Sequence, residues 1–146
     1  MQSTSNKVFK ILLIEDNDGD IFLLKKSIET GGFSVDLDIC KTGEAALSHL
    51  NTAESASYPD LVLLDLDLPG ISGDQVLGNI KKSADLSDIP VVMLTSSEAP
   101  DDIKKAYQLH ANGFVTKPIK FSDYEYLLNR IQHYWFEVVQ LPKRNR

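Results

Sequence analysis

Short aliphatic runs alternate with amphipathic segments along the whole chain. VFKILLI (8–14), FSVDLDI (33–39), LVLL (61–64), IPVVMLT (89–95) and GFVT (113–116) predict five strands. Several are almost continuously apolar, as expected of parallel strands covered on both faces. Between them apolar residues recur at helical spacing: Ile21, Leu24 and Ile28; Ala46, Leu47 and Leu50; Val76, Leu77 and Ile80; Ile103, Ala106 and Tyr107. Ser72 and Gln75 predict a capping box at the third helix. A fifth helix is predicted to open at Ser122, with Glu125 as its capping partner and Tyr124, Leu127, Leu128, Ile131, Trp135 and Val138 along one stripe. Strands alternating with helices predict an α/β fold with a doubly wound parallel sheet. In such sheets ligands bind beyond the carboxyl ends of the strands.

Composition narrows the possibilities. With 146 residues, 42 % hydrophobic and 25 % charged, the chain has the size of one globular domain with a substantial core. A net charge of -6 opposes the basic surface that phosphate backbones attract, so no nucleic-acid partner is expected. The longest apolar runs, Ile11 to Ile14 and Leu61 to Leu64, fall far short of the roughly 20 residues that span a bilayer, so no membrane association is expected. MQSTSNK lacks a signal peptide's apolar region, which points to a cytoplasmic protein. Cys40 has no second cysteine to pair with and is assigned to packing.

The chemistry gathers at one edge. The first strand runs into Glu15 and Asp16, the third into Asp65, the fourth ends at Thr95 and the fifth is followed by Lys117 and Pro118. Three carboxylates brought together repel one another unless a cation neutralises them or some are protonated. Hard oxygen ligands on a partly open site suit Mg²⁺, whose remaining partners are typically waters and phosphate oxygens. A carboxylate beside such an ion can attack a phosphoryl group and form an acyl phosphate. Lys117 would then offer charge, and Thr95 a hydroxyl, to the transferring oxygens.

In this order the segments ILLIEDN, LVLLDLDLPGISG, IPVVMLTSS and FVTKP resemble the receiver domains of two-component response regulators, from about Val8 to about Ile131. The resemblance implies a flavodoxin-like (βα)5 sheet of strand order 2-1-3-4-5. It makes Asp65 the phosphoacceptor. It makes Glu15, Asp16, Asp65 and the main-chain carbonyl of Asp67 the Mg²⁺ ligands, Thr95 and Phe114 the switch pair, and Lys117 the phosphate-binding lysine. The Lys117–Pro118 bond is usually cis in that family. A sensor histidine kinase is the implied partner. No enzymatic activity is implied beyond Mg²⁺-dependent self-phosphorylation and dephosphorylation. Glu15 replaces the family's more frequent aspartate, and Asp67 and Ser97 flank the phosphate site, where they are expected to tune the phosphoryl lifetime.

Two rival motifs fail. DNDGD (16–20) suggests a calcium loop, but Ile21 stands where the sixth position requires glycine. LVLLDLDLPG resembles the nucleophile strand of haloacid-dehalogenase-like phosphatases, yet Leu68–Pro69 follows the second acid and the motif arrives late in the chain.

The chain is divided into a disordered tail (1–7), a receiver domain (8–131) and a C-terminal extension of the fifth helix with a tail (132–146). Residues 118–146 are too few for an effector domain, so output through protein contacts is expected, at the face carrying Ile103, Tyr107, Phe114 and the fifth helix. HYWFEVVQLPKRNR is rich enough in apolar residues to predict a homodimer through the C-terminal region. That tail, with LDLDLPGISG, is similar to single-domain regulators associated with bacterial and cyanobacterial phytochromes, which implies a light-regulated kinase as phosphodonor.

Overall fold

The computed structural model describes residues 7–144, so most of the predicted N-terminal tail and the last two residues lie outside the described residues. β1 (Phe9–Ile14), β2 (Val35–Cys40), β3 (Leu61–Leu64), β4 (Val91–Thr95) and β5 (Gly113–Thr116) alternate with α1 (Asp18–Gly31), α2 (Gly43–Thr52), α3 (Gly73–Lys82), α4 (Pro100–Gln108) and α5 (Phe121–Ile131). The strands pair in parallel in the order β2-β1-β3-β4-β5. This is the flavodoxin-like topology.

The period-two alternation of side chains divides the core into two layers. Leu12, Ile14, Val62, Leu64, Val91 and Met93 face one way and pack with Ala46 and Leu50 of α2, Val76, Leu77 and Ile80 of α3, and Ala106 of α4. Their neighbours Ile11, Leu13, Leu61, Leu63, Val92 and Leu94 face Ile21 and Leu24 of α1 and Tyr124, Leu128 and Ile131 of α5. Every residue of β3 and β4 is buried, which explains their uninterrupted apolar runs.

The helix ends follow local rules. Asn17 caps α1, accepting from the Asp20 N–H at 2.9 Å, and Gly32 ends it in the left-handed region at φ 66°. The Ser72–Gln75 capping box of α3 is formed in both directions. The predicted box at Ser122 is not. Lys120 takes the extended cap position of α5, so Ser122 is the second helical residue and lacks the extended backbone from which a cap side chain reaches the free N–H groups.

Beyond Ile131 the chain continues as a π-helical segment, Gln132–Val138. Its wider turn rotates the following side chains away from the α-helical stripe. Val138 is consequently 54 % exposed, whereas Phe136 swings inward and stacks on Phe9 with ring centroids 3.9 Å apart and planes 11° apart. Trp135 remains packed on the α1–α5 layer. The chain end then crosses to Arg144, whose guanidinium pairs with Asp88 at 3.1 Å and lies over the Tyr58 ring. No helix among the described residues is long and apolar enough to cross a membrane.

Candidate functional site

Parallel strands bring their carboxyl ends to one edge, and there Glu15, Asp16, Asp65 and Lys117 meet around a crevice of about 490 Å³. Glu15 and Asp65 are only 2 % and 3 % exposed, while Asp16 is open to solvent. Carboxylate oxygens of Glu15, Asp16 and Asp65 all lie within 4.8 Å of one another. An all-oxygen set, partly open, fits a divalent cation. Asp67 lines the same crevice, and its main-chain N–H donates to Asp65 Oδ1 at 3.2 Å.

Lys117 is the counter-charge within the described residues. Its Nζ lies 2.7 Å from Glu15 Oε1, 2.8 Å from Asp20 Oδ2 and 3.0 Å from Asp65 Oδ2. Burial alone would depress its pKa, but the hydrogen bonds it donates to Asp20, Glu15 and Asp65 reverse that and hold it above the usual lysine range. Glu15 moves the other way from an ordinary carboxyl: burial, with Asp65 beside it, pushes it up to about 7 against the bonds from Lys117 and the Asn17 N–H. The Lys117 main-chain N–H donates to the Thr95 carbonyl at 2.7 Å, which pins the loop after β5 to the end of β4. The bond from Lys117 to Pro118 is trans, contrary to the expectation from resemblance. Trans is the lower-energy isomer by about 0.5–1 kcal/mol in unstrained X–Pro bonds.

Thr95 and Phe114 do not line this crevice. Thr95 is fully buried and its hydroxyl has no hydrogen-bond partner among the described residues. It shares the sheet face of Val91 and Met93, and Met93 pairs in register with Phe114, so the two residues of the expected switch belong to one layer. Phe114 is half-buried there. Ser96, rather than Thr95, lines the crevice itself. Ser97 donates to Asp102 Oδ2 at 2.6 Å and accepts from the Ala99 N–H, joining the loop after β4 to α4.

Two participants escaped the sequence reading. Asp20 looks like an acid that favours the start of α1 through the helix dipole, yet it binds Lys117. Tyr124 looks like one more core position of α5. It is 1 % exposed, but its hydroxyl donates to Asp20 Oδ1 at 3.2 Å. The available signal was that Asp20 falls in the helical turn directly after the acidic pair, so that its side chain can return towards the strand ends.

The sequence model of the response regulator receiver domain matches residues 11–132. The response regulator Rcp1 of Synechocystis is 38 % identical over 145 residues, covering 97 % of this chain and 99 % of Rcp1. The crystal structure of its Mn²⁺-bound form superimposes with a TM-score of 0.82 over 92 % of this chain and 99 % of that one, at 37 % identity. The phosphorylated cyanobacterial phytochrome response regulator RcpA gives a TM-score of 0.86 at 35 % identity, over 94 % of this chain and all of RcpA. A probable methanogenesis regulatory protein of Methanothrix harundinacea, FilR2, is 41 % identical over 129 residues, 87 % of this chain and 83 % of its own.

Proposed function

The chain belongs to the response regulator receiver family, and on that premise we propose that it accepts one phosphoryl group on Asp65 from a histidine kinase and signals through protein contacts. The observation that carries this reading is Lys117 Nζ held between Glu15 and Asp65 at the carboxyl edge of the sheet, 2.7 and 3.0 Å away. An ammonium already beside the acceptor is positioned for the oxygens of an incoming phosphoryl group.

In the proposed step an Asp65 carboxylate oxygen forms a bond to phosphorus as the bond from phosphorus to the donor breaks. The leaving group, a histidine ring nitrogen of the kinase or the acetate of acetyl phosphate, departs with the electron pair. Glu15, Asp16, Asp65 and the main-chain carbonyl of Asp67 would hold Mg²⁺, which would supply positive charge to the phosphoryl oxygens. Lys117 supplies the rest from the protein side. The Thr95 hydroxyl, without a partner among the described residues, gains one in the phosphoryl oxygen, and Phe114 on the same layer follows it. That movement biases the face carrying Ile103, Tyr107, Phe114 and α5. Hydrolysis is the other chemistry proposed: a water oxygen bonds to phosphorus as the bond from phosphorus to the Asp65 oxygen breaks, which releases inorganic phosphate and restores the carboxylate.

Resemblance to the phytochrome response regulator RcpA over 94 % of this chain favours a phytochrome-type kinase as donor, and with it a cytoplasmic location. We assign 8–131 to the receiver and 132–146 to an extension of the fifth helix and a tail, the extension offering Tyr134 and Val138, 52 % and 54 % exposed, to a second copy. Sedimentation that remains monomeric at micromolar concentration, with and without phosphorylation, would remove the dimer.

The decisive assay is incubation with Mg²⁺ and acetyl phosphate followed by intact-mass measurement beside Asp65→Asn. One added phosphoryl group, lost in the variant and without Mg²⁺, is expected. Addition that survives in Asp65→Asn would overturn the assignment.

A further inference from the structure

We propose that Asp20, itself held by Tyr124, is a positioning residue that keeps Lys117 aimed at the phosphoryl group while the other partners of the lysine change; the proposal rests on the receiver reading above.

A lysine ammonium has three N–H donors and no acceptor. All three are engaged here, with Glu15 at 2.7 Å, Asp20 at 2.8 Å and Asp65 at 3.0 Å. Phosphorylation changes two of these partners. Asp65 gives up its carboxylate charge when one oxygen becomes the bridging oxygen of the acyl phosphate, and Glu15 belongs to the carboxylate cluster that a divalent cation would share. Asp20 is outside that cluster, so neither event touches it directly. Its second oxygen accepts from the Tyr124 hydroxyl at 3.2 Å, and Tyr124 is 1 % exposed within the α1–α5 layer. The main chain of Asp20 is fixed as well, because its N–H is taken by the Asn17 cap. A rigid acceptor on α1, braced from α5, therefore restrains the lysine on β5's loop from a side that phosphorylation leaves unaltered. A flexible lysine side chain free of that restraint would have to be re-ordered in each transfer.

Tyr124→Phe tests this with neither charge nor a proposed metal ligand changed. With Mg²⁺ and saturating acetyl phosphate, its phosphorylation rate should fall about five- to tenfold, and that of Asp20→Ala by up to about a hundredfold. Half-saturation by the donor and Mg²⁺ affinity measured calorimetrically should remain those of the wild type in Tyr124→Phe. Adding Tyr124→Phe to Asp20→Ala should slow the reaction no further, because the tyrosine acts only through the aspartate. Nitrogen-15 NMR of the Lys117 ammonium supplies a readout that needs no phosphorylation: its protons should exchange with solvent faster in Tyr124→Phe.

A wild-type rate in Tyr124→Phe, multiplicative losses in the double variant, or an unchanged Lys117 exchange rate would each overturn the positioning role. A chain that is labelled independently of Asp65 would instead overturn the receiver reading, and the NMR comparison would still decide whether Tyr124 and Asp20 order the lysine.

Discussion

Gly73, the first residue of α3, lies so close to the main chain of Asp65 that a β-carbon on it would overlap the Asp65 carbonyl and crowd Leu66 Cα. The same glycine donates its N–H to the Leu66 carbonyl at 3.0 Å. The helix is thereby drawn against the loop that carries Asp65, the proposed acceptor, and no flexible side chain is available to yield. Gly73→Ala should lower stability by about 1–3 kcal/mol, the usual cost of overpacking, and slow phosphorylation by displacing Asp65. Urea unfolding checks the first effect and intact mass after acetyl phosphate the second; an unchanged midpoint would contradict this account of the contact.

Lys117 offsets the repulsion among its acidic partners. Lys117→Ala should destabilise the metal-free protein by about 3 kcal/mol, since breaking a buried ion pair leaves charge uncompensated. Mg²⁺ should then raise the unfolding temperature of the variant more than that of the wild type, because the ion takes over the missing charge. Equal rises in the two proteins would argue against a shared acidic site.

Glu15 makes the metal-free protein sensitive to pH. Its carboxyl titrates at about 7 when folded against an ordinary 4.5, so between those values the folded state holds a proton that the unfolded state has lost. The sign follows: this group's contribution to stability declines as pH rises through that window. Glu15→Gln should flatten the decline in denaturant titrations compared at about pH 5 and about pH 8. Divalent-ion affinity of the wild type should increase over the same range with release of a proton, visible by calorimetry in buffers of different ionisation enthalpy.

Thr95→Val should separate stability from signalling. Its buried hydroxyl is unpartnered among the described residues, so an isosteric methyl should raise stability by about 1 kcal/mol. Hydrogen exchange in α4 and β5 should respond less to phosphorylation in the variant. A destabilised Thr95→Val would show that the hydroxyl has a partner in the resting state.

Phe136→Ala removes one ring of the stack with Phe9 and should cost about 2 kcal/mol, combining lost burial with the aromatic pair. Exchange protection of the 132–138 segment should collapse while that of α3 persists. Uniform loss of protection would mean that the segment is integral to the main core.

How much of this was legible in the chain follows from what periodicity encodes. Runs such as Leu61 to Leu64 and Val91 to Leu94 announce strands covered on both faces, and the order of Glu15, Asp16, Asp65, Thr95 and Lys117 at strand ends places them on one edge once the strands are parallel. The Ser72–Gln75 cap was equally visible, because it is settled within one turn. The tertiary structure alone decided the partnerships between elements. Asp20 and Lys117 are 97 positions apart, and Asp20 and Tyr124 are 104 apart. Whether they touch depends on the rotation of α1 and α5 about their axes, which no local pattern specifies. The exchange of Val138 for Phe136 at the surface has the same origin: one π-helical segment changes the angle between successive side chains, and the α-helical period that predicts the stripe no longer applies.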